Sequence, residues 1–285
     1  MKNLKYFFLF IFLTFSILSA QAVYTDEDVE ICNSKFQLAV DNNLSTKPIN
    51  EVIVEIGKSF LGVDYVAHSL EKDGDEKLVV FLTGLDCYLF FESSLTFARC
   101  IKQGKITFED FQNELRKTRY RNGIINGYPS RLHYASDWLY DNAKRGIVKD
   151  VTKEIGGISY IKKIDFMSTH PKSYKQLKGN EKFVEDIKVV EDSINGRNYY
   201  YIPQNFIDCV EDKILNGDII LLTTNINGLD IAHTGIAIKM DDGRIHFMHA
   251  PLIGAKVQIS EKPLGDYVKS IKKQTGIMVA RVLEP

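Results

Sequence analysis

The feature that most restricts the fold lies in the last third of the chain. There, short runs rich in β-branched residues recur at Asp218 to Thr224, His233 to Met240, Arg244 to Ala250, Val257 to Ser260 and Gly276 to Leu283. Runs of this length, separated by turn-forming residues, predict strands that fold back on one another as an antiparallel sheet. The first half is patterned differently. Ile49 to Leu61 has helical apolar spacing up to Gly62, and Tyr24 to Lys47 before it reads as a polar lead-in. After the breaker Thr83-Gly84, Cys87 to Ile101 has the length and composition of a buried helix. Thr107 to Tyr120 predicts another, with Thr107 as its N-cap and Glu109 and Asp110 in its first turn. Helices first and strands afterwards argue for an α+β fold rather than a doubly wound one.

Between these halves, Gly123, Gly127 and Pro129 mark an irregular loop, and His133 to Lys144 follows as an amphipathic helix around Trp138. Val148 to Asn198 is charged and weakly periodic. The expected organisation is therefore one domain over 23–285 with an insertion at about 121–200. Residues 1–22 are set apart from it: Lys2 and Lys5 precede the apolar run Tyr6 to Leu18, and Ala20-Gln21-Ala22 offers a small-x-small cleavage site. The run is shorter than the ~20 residues that span a bilayer, so a signal peptide is expected rather than an anchor. Export to the periplasm or beyond follows, with no membrane association after cleavage.

Loss of Lys2 and Lys5 takes the formal charge from −1 to −3. No basic surplus is left to attract nucleic acid or anionic lipid, so small or neutral partners are expected. Four cysteines, Cys32, Cys87, Cys100 and Cys209, are too few for a disulfide scaffold in a chain of 285 residues, and their spacing is no metal signature. No metal or cofactor is expected. Cys87 and Cys100, on one helix, would lie roughly 20 Å apart, beyond disulfide reach.

Cys87 is the cysteine with an informative neighbourhood, because it opens a helix. Unsatisfied amides and the positive end of the dipole lower a thiol pKa there, and the thiolate is the nucleophile. A lone cysteine is more often a packing residue, so a base is needed as well. His233, which opens a strand followed by Gly235, can serve. One of six histidines is weak evidence alone, but the pairing carries weight. An imidazole base also needs an acceptor for its other nitrogen, for which His246 and His249 compete. They lie on opposite faces of one strand. If Asp241-Asp242-Gly243 is a three-residue loop with Gly243 left-handed, His249 falls opposite Gly235 on the His233 face; if Asp242-Gly243 is a two-residue turn, His246 does.

Leu85-Asp86-Cys87, Ala232-His233-Thr234-Gly235-Ile236 and Phe247-Met248-His249-Ala250 resemble the core of NlpC-type, papain-like cysteine peptidases. Phe60-Leu61-Gly62-Val63-Asp64-Tyr65 is similar to the first helix and the tyrosine of that group. More narrowly, Tyr128-Pro129-Ser130-Arg131-Leu132-His133-Tyr134, then Asp137-Trp138 and Met167-Ser168-Thr169-His170-Pro171, resemble the N-acetylmuramoyl-L-alanine amidase-like family. The resemblance runs from about Ile49 to Leu283 and departs at Tyr88-Leu89-Phe90-Phe91, which is bulkier than the family pattern.

This resemblance implies a papain-like core with Cys87 as nucleophile, His233 as base, His249 as orienter and Tyr65 beside the thiol, and it gives the Cys87 backbone N–H to the oxyanion. It also implies hydrolysis of the amide between N-acetylmuramic acid and L-alanine in soluble muropeptides, the anhydro-sugar kind included, as the peptidoglycan partners. Arg131, His133, Tyr134, Trp138 and His170 become candidates for binding them, since arginine grips carboxylates and aromatic rings stack on sugars. Arg131 and His133 could equally tie their loop to the core. The competing functions are a γ-D-glutamyl-diamino acid endopeptidase of the stem peptide, and a muropeptide-binding protein without catalysis.

Overall fold

A computed structural model describes residues 22–253 and 255–285. The signal peptide expected over residues 1–22 lies, apart from Ala22, outside the described residues. The first half forms helices α1 (Asp26–Asp41), α2 (Ile49–Lys58), α3 (Cys87–Lys102), α4 (Phe108–Arg119) and α5 (Ala135–Lys144). Strands β1 (Val148–Asp150) and β2 (Ile158–Ser159), helices α6 (Phe166–Thr169) and α7 (Glu181–Asn195), strand β3 (Tyr200–Pro203) and helix α8 (Ile207–Val210) follow. The C-terminal third supplies β4 (Ile219–Thr224), β5 (Ile231–Lys239), β6 (Ile245–His249), β7 (Gln258–Ile259), α9 (Leu264–Lys269) and β8 (Gln274–Val282). Among the described residues, no helix is long and apolar enough to cross a membrane.

The strands form one antiparallel sheet in the order β2-β3-β8-β4-β5-β6-β7, with β1 paired to the far end of β8. All six residues of β4 are buried, because both faces of the sheet are covered. Side chains alternate between those faces. Ile219 and Leu221 join Ile236, Met248 and Met278 in the core shared with α1 to α5, while Ile220 and Leu222 join Phe247, Ile277, Leu264 and Val268 on the α8 and α9 side. A strand covered on both faces reads as a continuous apolar run rather than an alternating one.

Helix α3 passes through the first of these cores. Every residue from Leu89 to Ile101 is buried, including Glu92 and Arg99. Buried charges persist only when paired. Arg119 and Glu114 of α4 supply the partners, at 2.7 Å to Glu92 and 2.6 Å to Arg99. These two pairs fix the register of α3 against α4, and so the position of its first residue, Cys87.

The polar lead-in reading is corrected by α1. Its apolar stripe is narrow, with Cys32, Phe36 and Ala39 among its buried positions, but Thr25 and Asp28 form a capping box that starts it. Helix α2 ends at Lys58, short of Leu61, and α5 begins at Ala135 rather than His133. The weakly periodic stretch holds a fifteen-residue helix, α7, whose buried Ile187 and Ile194 join Tyr128, Tyr134 and Met167 in a separate small core.

Candidate active site

Cys87 is the first residue of α3, and Asp86 is the N-cap, its carboxylate accepting the backbone N–H groups of Tyr88 at 2.9 Å and Leu89 at 2.8 Å. The expectation that the helix terminus lowers the thiol pKa is corrected by this arrangement. Two of the free amides are spent on Asp86, and burial, with the negative charge of Asp86 adding to it, pushes the Cys87 thiol up to about 12. Thr234 opposes that rise by facing the thiol with its hydroxyl and its backbone. Its hydroxyl also donates to the Cys87 carbonyl oxygen at 2.8 Å.

The hairpin between β5 and β6 takes the three-residue form. The Met240 N–H donates to the Arg244 carbonyl at 3.0 Å, and Gly243 sits at φ +78°. Ile236 pairs with Met248, so Gly235 is opposite His249. His233 Nε2 lies 2.7 Å from His249 Nδ1. His246 points the other way, to the Ser260 carbonyl at 2.8 Å and Asp242 at 3.0 Å. The room left by Gly235 is filled from β6: an added Cβ would come within 2.5 Å of the Met248 carbonyl oxygen and 2.7 Å of the Phe247 ring.

Burial holds His233 at about 4 and His249 at about 3, so both rings are neutral near pH 7. Cys87 and His233 are not hydrogen-bonded to each other among the described residues: Thr234 is bonded to the Cys87 carbonyl and His249 holds Nε2 of His233. Nδ1 of His233 is the ring nitrogen left free of His249. Tyr65 is half-buried and kept protonated, its pKa pushed up to about 12 by burial and by the nearby charges of Cys87 and Asp86. The Cys87 backbone N–H donates to no oxygen among the described residues.

A cavity of about 210 Å³ opens at the start of α3, lined by the two chain neighbours of Cys87, Asp86 and Tyr88, together with His68, Glu71, Arg131 and His133. Arg131 and His133 thus line this cavity at the start of α3, but both are already engaged. Arg131 donates to both Glu76 carboxylate oxygens at 2.9 Å and to Glu71 at 2.9 Å. His133 Nε2 contacts the Tyr128 carbonyl at 2.9 Å, and burial lowers its pKa to about 3. The expectation that Trp138 stacks on a sugar is corrected, because its side chain is 0% exposed and packs edge-on against Phe91 at 4.9 Å. Tyr134 is likewise withdrawn from the surface, with its hydroxyl donating to Glu191 at 2.7 Å and accepting the Met167 N–H at 2.8 Å. His170 is exposed and makes its polar contacts within its own turn, to Thr169 and the Phe166 carbonyl.

The bulky residues after Cys87 have a packing role. The Tyr88 hydroxyl donates to the Leu132 carbonyl at 3.0 Å, and its ring lies 4.9 Å from Phe91, which in turn meets Trp138. They tie the start of α3 to the Tyr128-to-Trp138 segment. Asp86, Thr234 and Tyr267 were not picked out as site residues from the sequence. The first two adjoin Cys87 and His233 in the chain, which was the available signal, whereas Tyr267 comes from a segment with none. Among the described residues, no group of three or more His, Cys, Asp or Glu side chains is placed to hold a metal ion.

A mixed fold of helices against an antiparallel sheet, with a cysteine at a helix start whose carbonyl is hydrogen-bonded to a strand that carries one of a pair of touching histidines, is the class this molecule defines, and it lies close to solved amidase structures. Residues 55–277 match the AmiA-like family model, described as N-acetylmuramoyl-L-alanine amidase-like, and the chain belongs to that family. An N-acetylmuramoyl-L-alanine amidase from Bacteroides uniformis superposes with a TM-score of 0.79 at 37% identity, over 83% of this chain and 99% of that one. A Bacteroides fragilis protein provisionally labelled a xylanase gives 0.75 at 37% identity, over 79% and 98% of the two chains. A Legionella pneumophila protein shares the fold, with a TM-score of 0.69 at 24% identity over 92% of this chain and 98% of that one. No curated protein matches the chain.

Proposed function

We propose that this protein is a cysteine-dependent N-acetylmuramoyl-L-alanine amidase with an NlpC-type, papain-like core, acting on soluble muropeptides, including those that end in an anhydro sugar. The observation that carries the reading is the 2.7 Å contact between His233 Nε2 and His249 Nδ1, on a strand whose next residue, Thr234, is bonded to Cys87. At rest the pair is thiol and neutral imidazole. As the substrate carbonyl approaches, the Cys87 proton passes to Nδ1 of His233 while the sulfur bonds to the lactyl carbon, after a turn about the Cys87 side-chain bond. His249 steadies the imidazolium through Nε2. The oxyanion is received by the backbone N–H of Cys87. Collapse expels the L-alanine amine, which takes the proton from His233, and water then hydrolyses the thioester with His233 as base.

A glycosidase would need two carboxyl groups free to face one sugar linkage. The two at this cleft, Asp86 and Glu71, are held by helix amides and by Arg131. The substrate contacts proposed here are His133 and the rim around it, with Arg131 shaping the wall through its glutamates. We read residues 1–22 as a signal that delivers the enzyme to the periplasm or beyond, and 23–285 as its single domain.

Digestion of purified muropeptides followed by mass spectrometry tests the reading. The expected products are a free sugar acid and an intact stem peptide that begins with L-alanine. Sugar still carrying L-alanine would instead assign cleavage within the stem, after D-glutamate. Binding without any product, identical in Cys87→Ala, would assign a receptor.

A further inference from the structure

His249 holds His233 through Nδ1, at 2.7 Å. One proton lies between the two nitrogens. If His249 supplied it, neutral His233 would carry its own proton on Nδ1 and have no lone pair for the thiol proton. A base-competent pair therefore requires Nε2–H of His233 to donate, which leaves the His249 proton on its Nε2. That atom has no hydrogen-bond partner among the described residues, and the His249 side chain is 0% exposed. Without an acceptor, that proton would carry the cost of an unpaired buried donor.

Aromatic rings are the remaining acceptors. Phe247 lies 4.7 Å from the His249 ring at an interplanar angle of 27°, and a ring N–H cannot aim at the face of a ring nearly parallel to its own. Tyr267 stands at 71° with its centroid 5.0 Å away, the edge-to-face relation in which a ring N–H meets a π face. Its ring is held there by α9, whose Leu264 and Val268 are anchored in the core on that side of the sheet, and by Phe247 at 5.5 Å.

We propose that Tyr267 is a positioning residue: its aromatic face receives the Nε2 proton of His249 and so keeps the histidine pair in the tautomer that leaves Nδ1 of His233 open. The proposal rests on the assignment of His233 as base. Its test reads tautomers and not only turnover. Long-range ¹H–¹⁵N spectra of histidine-labelled protein at neutral pH are expected to show His249 protonated on Nε2, with that proton shifted upfield by a ring current. Tyr267→Phe should retain both features. Tyr267→Leu should lose the upfield shift, populate the second tautomer and lower kcat by about tenfold with KM unchanged. His249 protonated on Nδ1 in the unaltered protein, or an Nε2 proton at the same shift in Tyr267→Leu, overturns the proposal. Should Tyr267→Leu not fold, the spectra of the unaltered protein and Tyr267→Phe decide alone. The expected tautomer in a protein with no turnover would count against the amidase reading while supporting the Tyr267 contact.

Discussion

The Thr234 hydroxyl donates to the Cys87 carbonyl oxygen at 2.8 Å, so the strand that carries His233 is fastened to the first turn of the helix that carries the thiol. Thr234→Val keeps the shape and removes the donor. It should lower stability by about 1 kcal/mol, read from denaturant unfolding, because one hydrogen bond is lost. The larger effect falls on chemistry: kcat should drop by about 10- to 100-fold, since small displacements of a reacting group are costly.

At Gly235 the backbone of β6 and the Phe247 ring pack directly against β5. A Cβ there would meet the Met248 carbonyl oxygen at 2.5 Å and the Phe247 ring at 2.7 Å, and a carbonyl in a sheet ladder cannot move aside without breaking its pairing. Gly235→Ala should destabilise the protein by about 1–3 kcal/mol, as overpacking does. Activity should fall in the molecules that remain folded, because β6 carries His249. Thermal unfolding and kcat measured on the same preparation check both effects.

The pH profile follows from two opposite shifts with a shared cause. Burial lowers His233 to about 4, and burial with Asp86 raises Cys87 to about 12. Protonated His233 has no lone pair to accept a proton, so kcat/KM should rise as pH increases through about 4. It should then stay level across the neutral range, because the thiol does not ionise by itself there. A profile rising only near the ordinary thiol range would show instead that free thiolate is the reacting form.

Arg131 separates a structural role from a binding one. It is buried and joined to Glu76 and Glu71, so Arg131→Met leaves carboxylates without their cation. Breaking such a pair from one side costs about 3–5 kcal/mol. The variant should be strongly destabilised, as judged by its melting temperature. Trp138→Phe, which trims a core ring, should lower stability with KM unchanged.

The sequence made α3 and the sheet legible because their signals are local: a long apolar run after Thr83-Gly84, and β-branched runs between turns. Helix α1 escaped because its buried stripe is narrow, although the Thr25 and Asp28 pair that starts it was there to be read. The choice between His246 and His249 turned on one loop residue, Asp241, and residue patterns do not distinguish a two-residue turn from a three-residue one when both contain Asp242-Gly243. Trp138 and Tyr134 were misplaced for a different reason. Aromatic residues near polar ones suit a sugar cleft and a small core equally well, and only the packing of Phe91 and Glu191 against them separates the two. Tyr267 had no local signal, since its meaning depends on a ring reached from a separate element.

In the proposed reaction, Cys87 attacks the carbonyl joining muramic acid to L-alanine. Rapid quenching of the enzyme with an anhydro-muropeptide, followed by intact-protein and peptide mass spectrometry, reads that step directly. The expected result is a transient acid-stable adduct equal to the muramoyl acyl group alone, located on Cys87 and absent from Cys87→Ala. An adduct that includes L-alanine and D-glutamate, or one on any other residue, would contradict it.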